Sequence, residues 1–250
     1  MNMSFYIGQS GLRAHSNDLN IAAQNITNAN TTGYKTTTAD FRELVYNEMD
    51  QNINKELADE KKILNGHGVK IENDSLQFSQ GVLSMTQFQL DFALASKNCL
   101  FAVERNGEVQ YTRDGTFDVS VEDDANYLVT SDGAYVLNNQ GQKIQVPYEE
   151  GTTKIDLDGI KQQIGVFAFE NPYGLQRVDG QSFVQTDISG EPQIATDNDY
   201  ELIQGALERS NTSLAKEMSD VIVIQKAYQF SSKVVQTADE VEDIVNNLRK

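Results

Sequence analysis

The side chains best able to do chemistry are few and scattered. The two histidines, His15 and His67, lie far apart in the chain, and neither has a cysteine or second histidine at ligand spacing. A zinc site would have to recruit carboxylates from elsewhere. Cys99 is the single cysteine, so no intramolecular disulfide can form. Between Leu94 and Phe101, in a strand-like stretch, it reads as a small buried apolar residue rather than a nucleophile. The acidic pairs Asp123 with Asp124 and Glu149 with Glu150 have no EF-hand spacing around them, and adjacent loop carboxylates are ordinarily solvated. The GHGVK stretch at residues 66–70 has glycines but neither the length nor the Lys-Ser or Lys-Thr ending of a phosphate loop, and no GxSxG is present. It reads as a turn before a strand. The residues thus predict no catalytic centre, no cofactor and no metal, and a chain that is not an enzyme.

Composition narrows the partners. The 250 residues are enough to bury a core, and 39% hydrophobic content with three prolines fits a folded chain. The formal charge of −17 repels nucleic-acid phosphates and anionic lipid headgroups, so no nucleic-acid partner is expected. No run of some eighteen apolar residues occurs, so no membrane insertion is expected, and no basic leader with an apolar core opens the sequence. The charge is unevenly spread. Residues 1–34 carry only Arg13 and Asp18, and residues 205–250 carry six basic and seven acidic side chains, so the middle holds −16. Nearly neutral ends can be buried against other chains without desolvating many unpaired charges.

The elements follow from periodicity. Phe5, Leu12, Leu19 and Ile26 recur every seven residues, which predicts a helix with one apolar stripe; the TNANTTGYK stretch after it, with Gly33, predicts its end between residues 28 and 33. The C-terminal segment lacks proline and glycine from Ala206 onward. Apolar residues there at steps of three, four and seven, among them Leu214, Met218, Val221, Tyr228, Val235 and Val245, predict a long helix starting near residue 211, capped by Ser210 or Asn211. These two sets of residues are the candidate assembly interface.

Between the ends the pattern changes to short runs of alternating polarity. Strands are expected at 90–95, 100–104, 109–112, 117–121, 127–130 and 164–169, with a two-residue type I′ turn at Asn106-Gly107. Residues 36–65 fit either a helix or an extended connector. The fold class is therefore α+β: a mostly-β central domain flanked by N- and C-terminal α-helices that pair in a coiled-coil-like terminal domain. The segments are an N-terminal helix at 1–34, a connector at 35–65, a β-rich body at 66–204 and a C-terminal helix at 205–250.

Three stretches carry a resemblance. GLRAHSNDLNIAAQNITNANTTGYK resembles the opening signature of flagellar rod and hook proteins, and GALERSNTSLAKEMSDVIVIQKAYQFSSKVVQTADEVEDIVNNL resembles their closing signature. The segment LDFALASKNCLFAVERNGEVQYTRDGTF is similar to the family's strand segment ending in Tyr-Thr-Arg-Asp-Gly-x-Phe, here Tyr111 to Phe117. Where members commonly carry a GDGFF-like turn, this chain has Ser96 to Phe101.

The resemblance implies a structural subunit of the basal-body rod of the bacterial flagellum, proximal or distal, exported through the flagellar type III apparatus. It implies assembly with copies of itself and with other rod and hook proteins into a helical tube that transmits torque. A hook or other axial protein is the near alternative, and a soluble β-rich enzyme or carbohydrate-binding module the distant one. The length leaves little room for the further β domain that hook proteins usually insert.

Overall fold

The computed structural model describes residues 3–44, 47–48, 64–122, 125–146, 155–196 and 200–248. The acidic pairs Asp123 with Asp124 and Glu149 with Glu150 lie outside them. The chain forms two compact units, one of residues 1–26, 37–75 and 214–250, the other of residues 27–36 and 76–213.

The first unit is built from the two long helices, α1 (Met3–Thr27) and α3 (Leu214–Leu248), with two strand pairs. The strand Thr37–Glu43 pairs with Val69–Leu76, and the short strand Asn47–Glu48 pairs antiparallel with Leu64–Asn65. The start of the connector is therefore extended, and the GHGVK glycines precede a strand as expected. α1 ends at Thr27, within a residue of the expected window. α3 begins at Leu214, later than expected, and residues Ala206–Glu208 form a strand paired with Leu83–Met85. Neither expected cap serves α3. The Asn211 side chain is consumed elsewhere, accepting from the Thr36 amide at 2.7 Å and donating to the Gln77 carbonyl at 2.7 Å.

The second unit is organised on an all-antiparallel sheet of nine strands. Its central strand, Cys99–Arg105, pairs with Glu108–Thr112, Tyr135–Val136 and Val166–Ala168. Alternate residues of that strand enter two separate cores. Cys99 and Phe101 pack with Phe92, Phe117, Leu128 and Ile164, whereas Leu100 and Ala102 pack with Tyr111, Phe169 and Phe183. A strand buried on both faces reads as a continuous apolar run, which is why CLFAV does not alternate. Aromatic edges lock both layers, Phe101 against Phe117 at 5.2 Å and Tyr111 against Phe169 at 4.8 Å between ring centroids.

The hairpin turn is as expected: Asn106 and Gly107 have φ of 54° and 84°, and Arg105 faces Glu108 across it. The pattern does not foretell α2 (Leu157–Gln163), a helix of two turns whose Asp156 cap accepts from the Gly159 amide at 3.0 Å and which buries Ile160. It carries one buried apolar side chain, too few to register as periodicity.

Candidate assembly interface

α1 and α3 meet through small residues. A methyl group placed on Gly8 would sit 2.6 Å from Cγ2 of Val235, and one on Gly11 would sit 3.0 Å from Oγ of Ser231. Together with the buried Ala14 and Ala22, these residues form a smooth strip on α1 that lets the second helix approach closely. The facing strip of α3 repeats every seven residues through Glu217, Ile224, Ser231 and Ala238; all but Ser231 are buried. A seven-residue repeat keeps one strip turned toward one partner along the length of a helix.

A polar lock closes one end of this contact. Asn25 is buried, donates to the Thr37 carbonyl at 2.7 Å and to Oε2 of Glu217 at 3.2 Å, and accepts from the Thr37 amide at 3.0 Å. Nearby, Asp18 lines a cavity of about 290 Å³ with Glu217, Asp220 and Lys216. Partial burial pushes the Asp18 carboxyl above its ordinary value, opposed by His15 and reinforced by Asp220 and Glu217. A carboxyl raised by folding favours the folded state when protonated, so stability falls as pH rises through its folded-state value. Asp18→Asn is therefore expected to raise the melting temperature of the helical unit at pH 7, with the gain vanishing below the ordinary carboxyl value of 3.8. Thermal melts followed by circular dichroism across pH 3 to 8 check this.

The expected interface residues divide into two groups by exposure. Leu12, Leu19, Ile26, Val221 and Val235 are half-buried, whereas Phe5, Leu214, Met218, Tyr228 and Val245 are exposed. The residues brought together between the helices are instead largely small ones, Gly8, Gly11 and Ala14 among them. Their three-residue spacing is visible in the sequence, but a search for large apolar residues passes over it.

A second seam on α3 is largely exposed, with Phe230 and Val234 lining a groove that also includes Phe41, Glu43 and Gly68. Val223, Phe230, Thr237 and Ile244 form one seven-residue series, and Ala227, Val234, Val241 and Leu248 form another. Interleaved, they step by four and three along the helix, the spacing of core positions in a coiled coil. The six large apolar members are each between 46% and 83% exposed. Contiguous apolar exposure of this extent makes the seam a candidate interaction surface.

In the β unit the two terminal signatures converge. The Lys35 ammonium is 2.6 Å from Oε1 of Glu208 and donates to the Ser79 carbonyl at 2.9 Å. Arg113 Nη1 lies 3.3 Å from Oε2 of the same carboxylate, and the Gly81 amide donates to Oε1 at 2.7 Å. All three charged side chains are at most 1% exposed. Burial pulls the Lys35 and Arg113 cations below their ordinary values, against the opposing pull of Glu208. Around them, Gly33 at φ 69° donates its amide to the Glu208 carbonyl at 2.7 Å, and Arg177 stacks 4.5 Å from the Tyr34 ring while bonding the Lys35 carbonyl. A side chain on Gly33 would collide with the Arg113 backbone at 2.6 Å.

The residues singled out for chemistry are dispersed. His15 lies near the Phe41 ring, the His67 imidazole sits in a loop, and the Cys99 thiol is buried in the β unit, where it accepts from Ser96 Oγ at 3.2 Å. Among the described residues no three His, Cys, Asp or Glu side chains group as metal ligands, and no helix is long and apolar enough to cross a membrane.

Three family profiles match in succession: the flagella basal body rod protein family over residues 5–35, the flagellar hook protein FlgE/F/G D1 domain over residues 98–161, and the flagellar basal body rod FlgEFG protein C-terminal domain over residues 203–248. The flagellar basal-body rod protein FlgG of Borreliella burgdorferi is 33% identical over 100% of both chains. FlgG of Agrobacterium fabrum is 32% identical over 96% of this chain and 97% of its own, and the flagellar basal-body rod protein FlgF of Caulobacter vibrioides is 32% identical over 96% and 95%. With both terminal signatures folded into a helical pair and a buried clasp, and with relatives aligned end to end, the chain belongs to the flagellar basal-body rod protein family.

Proposed function

We propose that this chain is a structural subunit of the flagellar basal-body rod and that it polymerises through α3. The rod role rests on relatives that share its full length and carry that name. The observation that carries the mechanism is the double face of α3: one seven-residue strip is occupied by α1 of the same chain, and the large apolar side chains of the seam from Val223 to Leu248 are 46–83% exposed. A helix needs one covered strip to be stable in its own chain, and the second is available for a neighbour. At roughly 25 cal/mol per Å² of apolar surface, the side chains of such a seam contribute several kcal/mol per contact once covered. Repeated from subunit to subunit without closing, that contact yields a tube with helical symmetry, fit to carry torque.

The same reading places the chain outside the cytoplasm by way of the flagellar type III export apparatus, and makes its neighbours copies of itself and other rod and hook proteins. Its work is mechanical rather than catalytic.

The test substitutes Val234 and Val241 with lysine together. Both are surface positions in the free chain, so circular dichroism and melting temperature are expected to stay near those of the unmodified protein. Motility restored to a strain lacking the gene is expected to fall by at least about tenfold, from two charges buried without partners in each contact, and isolated basal bodies should lack the variant. Full motility with the doubly charged seam incorporated would rule out polymerisation through this face.

A further inference from the structure

Residues 66–70 cross α1 and form a basic groove there, and we infer that in the rod this groove holds the acidic end of α3 from a second copy of this chain. This rests on the reading of the chain as a rod subunit and adds a contact separate from the apolar seam of α3.

One close approach builds the groove. Gly68, at φ 105°, passes so near α1 that a methyl group there would lie 2.1 Å from Ser10 Oγ. The same hydroxyl accepts from the Val69 amide at 3.3 Å, so the crossing is held as well as permitted. It places His67 and Lys70 with Arg13 around a cavity of about 420 Å³ whose described lining includes no carboxylate. Arg13 and Lys70 are exposed, and neither takes part in an ion pair among the described residues. In a chain of net charge −17, the ready counter-charge is another part of the same protein.

The matching surface lies near the end of α3. Asp239, Glu240, Glu242 and Asp243 are exposed and take part in no ion pair among the described residues. They also repel one another: Asp239 stands three residues from Glu242 and four from Asp243, and Glu240 three from Asp243, spacings at which like charges oppose the helix. At about 100° per residue the four occupy one side of α3, the side away from the seam. A cationic partner relieves that repulsion.

Within one chain the two surfaces cannot meet. Gly8 meets Val235 and Gly11 meets Ser231, so α1 and α3 run antiparallel and Arg13 is level with the turn around Gln229. The middle of the acidic run, Val241, lies roughly 18 Å further along the axis at 1.5 Å per residue. A second copy displaced by that distance brings its acidic run to the groove of the first. With one polarity throughout, its α3 runs antiparallel to the first copy's α1, which sets Gln9 beside Asn246. Groove and acidic run are different surfaces, so the contact is heterologous and repeats without closing, as a tube requires. Ion pairs at a surface are weak singly, so free chains stay apart and the contact counts where other contacts already hold the copies in line.

The experiment uses the full chain in a strain lacking the gene. Arg13→Glu with Lys70→Glu is expected to leave the circular dichroism and melting temperature of the free protein in place. Swimming and the amount of chain in isolated basal bodies should both fall about tenfold or more, because like charges meet in every contact. Adding Asp239→Lys and Asp243→Lys should restore both to within about threefold, a coupling that damage to export or folding would not produce. Independently, Cys99→Ala chains carrying Gln9→Cys and Asn246→Cys keep every charge and should cross-link in isolated basal bodies into a ladder of multimers. In a single chain those two positions stand too far apart for a disulfide. Undiminished incorporation of the Arg13→Glu, Lys70→Glu chain, no rescue by the added lysines, or disulfides that are absent, within one chain or to another protein would each overturn the proposal. The rod reading is scored separately, by whether the unmodified chain restores motility and is found in basal bodies, so a rod subunit indifferent to these charges removes the groove contact alone.

Discussion

Replacing Glu208 with alanine is expected to lower the stability of the β unit by about 3–5 kcal/mol, because it strands two buried cations without removing them. Lys35 and Arg113 are both essentially inaccessible to solvent and share this one carboxylate. Their remaining acceptors are backbone carbonyls, those of Ser79 for Lys35 and of Leu94 and Ser96 for Arg113. Dipoles alone do not repay the desolvation of a full charge. The Gly81 amide loses its acceptor as well. The measurement is a thermal melt followed by near-ultraviolet circular dichroism, with a fall in midpoint of about 10 °C or more. A control separates charge from packing: Lys35→Met, Arg113→Met and Glu208→Leu combined should recover most of the loss, since an apolar replacement of all three members leaves nothing unpaired. If the single alanine variant melts with the unmodified protein, the clasp contributes no net stability.

The second large effect is expected at Gly115. A β-carbon added there would lie 1.7 Å from the Phe92 carbonyl oxygen and 2.8 Å from its carbon, and those atoms are backbone. The neighbour cannot rotate away. Phe92 also donates its amide to the Gly115 carbonyl at 3.0 Å, so the two segments are held together at the point of collision. Relief requires parting them, which exposes the fully buried Phe92 and Phe101 to water. Gly115→Ala should cost about 3 kcal/mol or more, comparable to emptying a large aromatic site. Urea titration reads the change, and a midpoint within error of the unmodified chain would show that the backbone yields more easily than this contact implies.

These two positions show how the sequence could be read and where it could not. The Tyr-Thr-Arg-Asp-Gly-x-Phe run was recognisable as a motif, but each member's work is visible only in three dimensions. Tyr111 and Phe117 fill the two cores, Arg113 serves the clasp, the Asp114 carboxylate accepts from the Thr116 amide and hydroxyl, and Gly115 permits the close approach to Phe92. The ion pair of Lys35 with Glu208 joins residues 173 positions apart. No local pattern of polarity encodes a contact of that separation.

The helices were legible in a different measure. Apolar periodicity located α1 and α3, and a type I′ turn signal located the hairpin, because both depend on neighbours within a few residues. Which apolar residues of α3 turn inward was not decidable from spacing. Apolar side chains occupy more than half the circumference of that helix, so several strips fit equally well. The choice is made by Gly8 and Gly11 on α1, whose lack of bulk admits Val235 and Ser231. Asn211 misled for a related reason: it has the chemistry of a helix cap, but five hydrogen bonds to Thr36, Gln77 and Ser79 hold it.

The position of the clasp along the chain makes the β unit a test of completeness. A polypeptide delivered from its N-terminus presents Lys35 and Arg113 long before Glu208 emerges, and until then those cations favour water over any closed interior. Chains cut short before residue 208 therefore lack the counter-charge that lets the interior seal, and remain open to proteases. Only a copy carrying the residues that lead directly into α3 reaches the compact state, so truncated copies are excluded from the structure the protein builds.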